Sequence, residues 1–165
     1  MLFILQSQNI FSIFTIPQLL NFMKPIDVLL VEDNEGDILL TTEALKEEKI
    51  INNVSVVRDG WEAINFLMKK GEYSSFSTPD LILLDINLPK LNGHEVLKEI
   101  RAREDLRHIP IIMLSTSSSQ EEILKCYKNY ANCFISKPVD AEDFSNLISS
   151  IKEFWTSRVQ LPQNS

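Results

Sequence analysis

Two kinds of apolar pattern alternate along residues 26–156 of this 165-residue chain. Short apolar runs, which predict buried strands, occupy residues 26–32, 54–57, 81–84, 109–114 and 133–136. Segments with apolar residues every three or four positions, which predict amphipathic helices, occupy residues 35–48, 61–70, a stretch from about 93 to 100, 118–129 and 141–156. Strand–helix units in succession predict a doubly wound α/β fold with a parallel sheet and right-handed crossovers.

The inward face is clearer in some helices than in others. The last helix has the clearest apolar stripe, formed by Phe144, Leu147, Ile148, Ile151, Phe154 and Trp155. In the first helix, Ile38, Leu39 and Leu45 are expected to face the core. The second helix is expected to stop at Gly71, because glycine is favoured just past a helix C-terminus.

Carboxylates follow two of the apolar runs. Asp85 comes directly after the third predicted strand, and Glu32 and Asp33 come directly after the first. Open parallel sheets have their ligand crevice outside the carboxyl ends of the strands, so these side chains are expected to lie close together. Carboxylates bind hard cations and can act as nucleophiles, which makes Asp85 a candidate for both roles. For either aspartate taken alone, a turn-forming role is the plainer interpretation.

Composition narrows the function classes. A hydrophobic content of 44% and a charged content of 24% are typical of a globular domain. A net charge of −7 argues against nucleic acid as the main partner, because phosphate contacts need a basic face. The two cysteines, Cys126 and Cys133, form neither a CxxC motif nor a disulfide framework. They are therefore expected to be small buried residues in a protein of the reducing cytoplasm.

The first 23 residues contain no charged side chain and are rich in leucine, isoleucine and phenylalanine. A secretory signal is not indicated, because the basic segment that begins one is missing. Polar residues 6–9 and Pro17 interrupt what would otherwise be a membrane span. Three interpretations stay open: translation starts at Met23, the segment adds packing surface, or it anchors the chain to a membrane.

Four motifs at the ends of strands make the chain resemble the receiver domain of two-component response regulators. They are Glu32-Asp33 after strand one, Asp85 after strand three, Ser115 after strand four and Lys137-Pro138 after strand five. Each motif is weak alone, whereas the four together at these spacings are specific. The expected receiver domain spans residues 24–157, between an N-terminal extension at 1–23 and a tail at 158–165. The resemblance implies a flavodoxin-like fold with strand order 2-1-3-4-5.

The resemblance implies a phosphorylation switch centred on Asp85. In this family a histidine kinase donates a phosphoryl group to the matching aspartate, and an aspartyl phosphate forms. Because a carboxylate and a phosphate dianion repel each other, a divalent cation has to bridge them. The expected ion is Mg²⁺, held by Asp33, Asp85, the backbone carbonyl of Asn87 and, through water, Glu32.

Three further residues take roles from the same resemblance. Lys137 is expected to pair with Asp85 and later with the phosphoryl group, and its peptide bond to Pro138 is expected to be cis. Ser115 is expected to hydrogen-bond the phosphoryl group, with a helix cap as the alternative role. Phe134 takes the place of the family's aromatic switch residue, with a plain core aromatic as the alternative.

Two positions depart from the commoner family pattern. Ser115 stands where threonine is more usual, but the hydroxyl is kept and function is expected to survive. Thr116 stands where a small residue is often found, and its bulk is expected to restrict the access of phosphodonor or water to Asp85. A Thr116→Ala substitution is therefore expected to change the dephosphorylation rate.

The partners follow from the resemblance as well. Residues 115–119, 130–140 and 153–155 are similar to the small regulators paired with cyanobacterial and bacterial phytochromes, which implies a phytochrome-type kinase as the partner. The expected readout surface is helix four, strand five and helix five, where Tyr127, Tyr130, Phe144 and Trp155 are concentrated. A homodimer through this face is expected, although these aromatics can equally be core. Contacts with nucleic acid or membrane are not expected.

Other function classes fit the sequence less well. A degenerate receiver would bind partners without taking phosphate, but Asp33, Asp85, Ser115 and Lys137 are all intact. A hydrolase of the haloacid-dehalogenase type needs a second aspartate at the position of Asn87, and a cap insertion. A flavodoxin-like electron carrier would bind its flavin phosphate after strand one, where the acidic residues 32–35 would repel it.

Overall fold

The structure is a computed structural model that describes residues 25–46 and 51–162. Its elements in chain order are β1 (Ile26–Val31), α1 (Glu35–Lys46), β2 (Ile51–Val57), α2 (Gly60–Leu67), a 3₁₀ turn (Gly71–Ser75), β3 (Leu81–Asp85), α3 (Gly93–Ala102), β4 (Ile111–Ser115), α4 (Gln120–Lys128), β5 (Cys133–Ser136), α5 (Ala141–Glu153) and a π-helical turn (Phe154–Arg158). All neighbouring strands pair in parallel, in the order β2-β1-β3-β4-β5. The predicted flavodoxin-like fold and its strand order are confirmed.

The sheet separates two hydrophobic clusters. One cluster contains Leu29, Ile82 and Met113 together with residues of α2 and α3, and the other contains Leu30, Leu83 and Ile112 together with residues of α1 and α5. Successive side chains of a strand point to opposite faces, which explains why neighbours in one strand join different clusters. Every residue of β3 and β4 is buried. The apolar runs of the sequence therefore mark strands that are covered on both faces.

Several element bounds differ from the sequence-based expectation. β2 starts at Ile51, because its pairing with β1 extends the edge of the sheet across the polar residues Asn52 and Asn53. β4 starts only at Ile111, after Pro110, which has no backbone N–H to give to the sheet. α2 ends at Leu67, and Lys69 already has a positive φ of 53°.

Two residues expected in the core are exposed. Leu39 is 56% exposed, because α1 packs through Ile38 and Leu45, and the residue after Ile38 points about 100° away around the helix. Phe154 is 53% exposed, because the helix widens into the π-helical turn at this residue and leaves the apolar stripe. The prediction was wrong for both side chains.

Some expectations concern residues that the structure does not describe. The interpretations of residues 1–23 lie outside the described part of the chain, as do the last two residues of the predicted first helix and the end of the tail. Within residues 25–46 and 51–162, no helix has the length and apolar character that crossing a bilayer requires.

Candidate functional site

The carboxyl ends of four strands bring the sequence-predicted site residues to one crevice. Glu32 and Asp33 follow β1, Asp85 ends β3, Ser115 ends β4, and Lys137 follows β5. The backbone N–H of Lys137 donates to the carbonyl oxygen of Ser115 at 2.6 Å, which fixes the end of β5 against the end of β4. The crevice therefore lies at the edge of the sheet where the parallel strands end.

Lys137 is the electrostatic centre of this crevice. Its Nζ lies 2.5 Å from Asp85 Oδ1, 2.5 Å from Glu32 Oε2 and 2.9 Å from Asp37 Oδ2. Its side chain is only 5% exposed. Burial works to lower the pKa of Lys137, but the hydrogen bonds to Asp85 and Glu32 outweigh it, so the pKa is raised and the ammonium stays charged.

The Asp85 carboxylate is held at both of its oxygens. Oδ1 faces Lys137, and Oδ2 accepts the backbone N–H of Asn87 at 2.6 Å. The backbone beside it leaves no room, because a Cβ on Gly93 would lie 2.3 Å from the Asp85 carbonyl oxygen. A glycine at the first residue of α3 is therefore what allows this helix to begin so close to Asp85.

The carboxylates of the crevice suit a hard cation. One oxygen from each of Glu32, Asp33 and Asp85 lies within 4.8 Å of the other two. Burial raises the pKa of Glu32, the charge of Asp85 raises it further, and the hydrogen bond from Lys137 opposes the rise. Asp33 is exposed, so its carboxylate is open to solvent and to an arriving ion. Oxygen ligands with an uncompensated negative charge are the donor set that Mg²⁺ and similar ions prefer.

Sequence reasoning missed Asp37. Asp37 lies in the first turn of α1, where an acidic residue is common because it interacts favourably with the helix dipole. Its presence there therefore gave no separate indication of a role in the site. The one available hint was its position just past the Glu32-Asp33 pair, on a helix that starts at the same sheet edge.

Ser115 has an unexpected partner. Its side chain is fully buried, its hydroxyl donates to Glu122 Oε2 at 2.8 Å, and the backbone N–H of Ser117 donates to Ser115 Oγ at 3.1 Å. The alternative role as cap of α4 is wrong, because that cap is Ser119, whose Oγ accepts the backbone N–H of Glu122. Glu122 was not predicted, since nothing in the sequence says that a residue inside α4 reaches back to the end of β4.

The remaining predicted residues lie around this crevice. Phe134 is half-buried against the cluster under α2 and α3, and Thr116 is exposed beside Ser115. The described residues contain no cis peptide bond, so the bond between Lys137 and Pro138 is trans and the expectation of a cis bond is wrong. The trans form is the ordinary preference of X-Pro bonds, and the approach of Lys137 to Asp85 is achieved with it.

Comparisons with known proteins agree with this architecture. Residues 28–149 match the response regulator receiver domain. The response regulator Rcp1 of Synechocystis sp. is 40% identical over 138 residues, which are 84% of this chain and 94% of that protein.

Two solved structures are also similar. One is the phosphorylated cyanobacterial phytochrome response regulator RcpA, with a TM-score of 0.82 and 43% identity over 84% of this chain and 99% of that one. The other is the Mn²⁺-bound form of Rcp1, with a TM-score of 0.80 and 39% identity over 84% of this chain and all of that one (100%). Because the family matches residues 28–149, most of this chain, and Rcp1 is 40% identical to it, the chain belongs to the response regulator receiver family and is a signalling protein of the two-component type.

Proposed function

We propose that this receiver takes a phosphoryl group from a histidine kinase onto Asp85, with Mg²⁺ bound beside it, and signals by a change in its protein contacts. The observation that carries the proposal is the position of Lys137 Nζ between Asp85 Oδ1 and Glu32 Oε2, at 2.5 Å from each. A buried ammonium beside a carboxylate at a strand end supplies positive charge where an incoming phosphoryl group needs it.

The crevice residues fit a divalent cation. Glu32, Asp33 and Asp85 supply carboxylate oxygens in mutual reach, and the backbone carbonyl of Asn87 is the proposed fourth protein ligand. The bound ion would offset the repulsion between Asp85 and the phosphoryl group. The Mn²⁺-bound structure of Rcp1 supports a divalent ion, and Mg²⁺ is proposed because it prefers oxygen ligands and keeps several waters.

The protein's own residues divide the remaining work. The Asn87 N–H holds one Asp85 oxygen and so fixes the carboxylate orientation. After transfer, Lys137 turns from Asp85 to one phosphoryl oxygen, and the Ser115 hydroxyl donates a hydrogen bond to a second phosphoryl oxygen. Phe134, which is half-buried, is proposed to move inward when Ser115 shifts. These groups promote formation and hydrolysis of the aspartyl phosphate in this chain, and no external substrate is turned over.

Acetyl phosphate provides a direct test. The purified chain is incubated with Mg²⁺ and acetyl phosphate, and its intact mass is measured beside that of an Asp85→Asn variant and a sample with chelator. A phosphoryl adduct on the Mg²⁺-treated wild type alone supports the proposal. An adduct of equal yield on Asp85→Asn would contradict it.

The proposed readout surface is α4, β5 and α5. Leu124, Tyr127 and Tyr130 are 53%, 48% and 75% exposed, whereas Phe144 is 3% exposed and belongs to the core. Exposed aromatics at one face suit a protein interface, and we propose a homodimer here. Phosphorylation is expected to raise the fraction of dimer. Tyr127→Ala is expected to abolish this rise, and Trp61→Ala is expected to leave it intact. Trp61 is the matched control because it is 54% exposed and lies on α2, outside the proposed surface.

The partner and location follow the same resemblance. A phytochrome-type histidine kinase is the proposed phosphodonor, because RcpA is described as a phytochrome response regulator and shares 43% identity. The two cysteines are free, which suits the reducing cytoplasm as the proposed location. The proposed receiver domain keeps the bounds 24–157, of which residues 28–149 match the family.

A further inference from the structure

The Ser115 hydroxyl is committed to a partner outside the crevice. Ser115 Oγ donates to Glu122 Oε2 at 2.8 Å, and Ser115 Oγ itself accepts the backbone N–H of Ser117 at 3.1 Å. Ser115 is 0% exposed, so water does not compete for this proton. Glu122 is half-buried and lies in the first turn of α4.

A serine hydroxyl has a single proton to donate. A phosphoryl group on Asp85 carries only acceptor oxygens, and so does an ionised carboxylate such as Glu122. Ser115 cannot serve both acceptors at once. Binding of the phosphoryl group by Ser115 therefore requires that the bond to Glu122 break first.

We propose that Glu122 is a positioning residue that holds Ser115 in the unphosphorylated arrangement by competing with the phosphoryl group for the Ser115 proton. This inference rests on the proposed phosphorylation of Asp85. Once the hydrogen bond from Ser115 is broken, the half-buried Glu122 carboxylate is close enough to the surface to be solvated by water instead. This competition weakens the binding of the phosphoryl group by Ser115 and favours the conformation of the unphosphorylated protein.

The same contact couples the crevice to α4. The backbone N–H of Glu122 donates to the Ser119 cap at 3.2 Å, so the residue that holds Ser115 is also part of the helix N-terminus. Ser117 joins the loop between them through its N–H bond to Ser115. Movement of Ser115 toward Asp85 breaks its hydrogen bond to Glu122, which joins the end of β4 to α4. Because α4 belongs to the proposed readout surface, this break can reach that surface.

A beryllofluoride titration measures the competition. Beryllofluoride with Mg²⁺ mimics an aspartyl phosphate, and its affinity is read by calorimetry and by fluorine NMR of the bound complex. Wild type is compared with Glu122→Ala, Glu122→Gln, Ser115→Ala and the double variant Glu122→Ala with Ser115→Ala. Glu121→Ala is the matched control, because it removes the same charge from the neighbouring exposed residue of α4.

Glu122→Ala is expected to tighten beryllofluoride binding about tenfold, the factor that corresponds to one net hydrogen bond. Glu122→Gln keeps a neutral acceptor and is expected to tighten it by about threefold. In the Ser115→Ala background, where no proton is contested, Glu122→Ala is expected to have no effect. This loss of the effect is a readout that a purely structural role of Glu122 would not produce.

Three results would overturn the inference while leaving the proposed function intact. The first is that Glu122→Ala tightens binding equally with and without the Ser115 hydroxyl, and the second is that Glu121→Ala tightens it as much as Glu122→Ala does; either would show that the effect comes from charge alone. The third is unchanged affinity in a folded Glu122→Ala variant. Absence of beryllofluoride binding by wild type itself would refute the proposed function, and this inference with it.

Discussion

Replacing Lys137 with methionine removes the positive charge from the centre of the crevice while keeping a flexible side chain of similar length. Three carboxylates that now contact Nζ, those of Glu32, Asp37 and Asp85, would lose their common partner. Methionine fills much of the same space, so the effect is expected to come from charge rather than from a cavity.

The burial of the cluster sets the size of the loss. The side chains of Lys137, Glu32 and Asp85 are 5%, 3% and 5% exposed, so solvent cannot replace the missing ammonium. Removal of one partner from a buried ion pair costs about 3–5 kcal/mol. For a chain of this size, that loss corresponds to a fall in Tm of roughly 6–20 °C.

Denaturant unfolding in the presence of chelator measures this loss, and a repeat with Mg²⁺ tests its electrostatic origin. A divalent cation restores positive charge beside the carboxylates, so Mg²⁺ is expected to stabilise Lys137→Met more than it stabilises wild type. Lys90→Met is the matched control: Lys90 also lies 2.5 Å from a buried aspartate, Asp59, but its own side chain is 60% exposed.

A smaller loss is expected for Lys90→Met, because the Lys90 side chain is 60% exposed and Asp59 keeps the backbone N–H of Glu62 as a hydrogen-bond donor. The reasoning would be refuted if Lys137→Met lost no more stability than Lys90→Met. It would also be refuted if Mg²⁺ stabilised Lys137→Met and wild type to the same extent.

Three further predictions concern the surroundings of the crevice. Gly93→Ala is expected to lose about 1–3 kcal/mol of unfolding free energy in a urea titration, because its Cβ would lie 2.3 Å from the Asp85 carbonyl oxygen. Gly36→Ala is the control and should be neutral or stabilising, because its Cβ would meet only a movable side-chain oxygen at 3.1 Å. Burial and the nearby Lys125 lower the pKa of His94 below 6.5, so the unfolded chain binds the proton more readily and stability falls as pH drops through 6.5; His94→Gln should flatten this fall, and an unchanged pH profile would count against it. Thr116 is exposed next to Ser115, and Thr116→Ala is expected to shorten the phosphoryl half-life measured by intact mass, whereas an unchanged half-life would show that its bulk does not limit access.

The parts of the fold that depend on local pattern were predictable from the sequence. β3 is an apolar run that ends in Asp85, and its burial on both faces leaves little choice of structure. The carboxyl ends of parallel strands share one edge of the sheet, so the meeting of Glu32 and Asp85 could be expected from the apolar pattern, whereas the pairing of Lys137 with Asp85 was implied by the resemblance to receiver domains.

Features that depend on tertiary geometry were not predictable. The contact of Asp37 with Lys137 joins α1 to the end of β5, and these elements are about a hundred residues apart in the chain. The bond from Ser115 to Glu122 depends on how α4 is tilted at its first turn, which no periodicity encodes. Leu39 has the hydrophobicity of a core residue, yet its exposure is decided by the rotation of α1 against α5.

The central claim is that Asp85 takes the phosphoryl group, and the most direct test is to identify the residue that carries it. After treatment with Mg²⁺ and acetyl phosphate, borohydride reduces an aspartyl phosphate to homoserine, which peptide mass mapping can locate. The expected result is homoserine at position 85 alone, with Asp33 and Asp37 unmodified. Modification at Asp33 or Asp37 with Asp85 unchanged would contradict the account, and so would a phosphoryl adduct that borohydride does not convert.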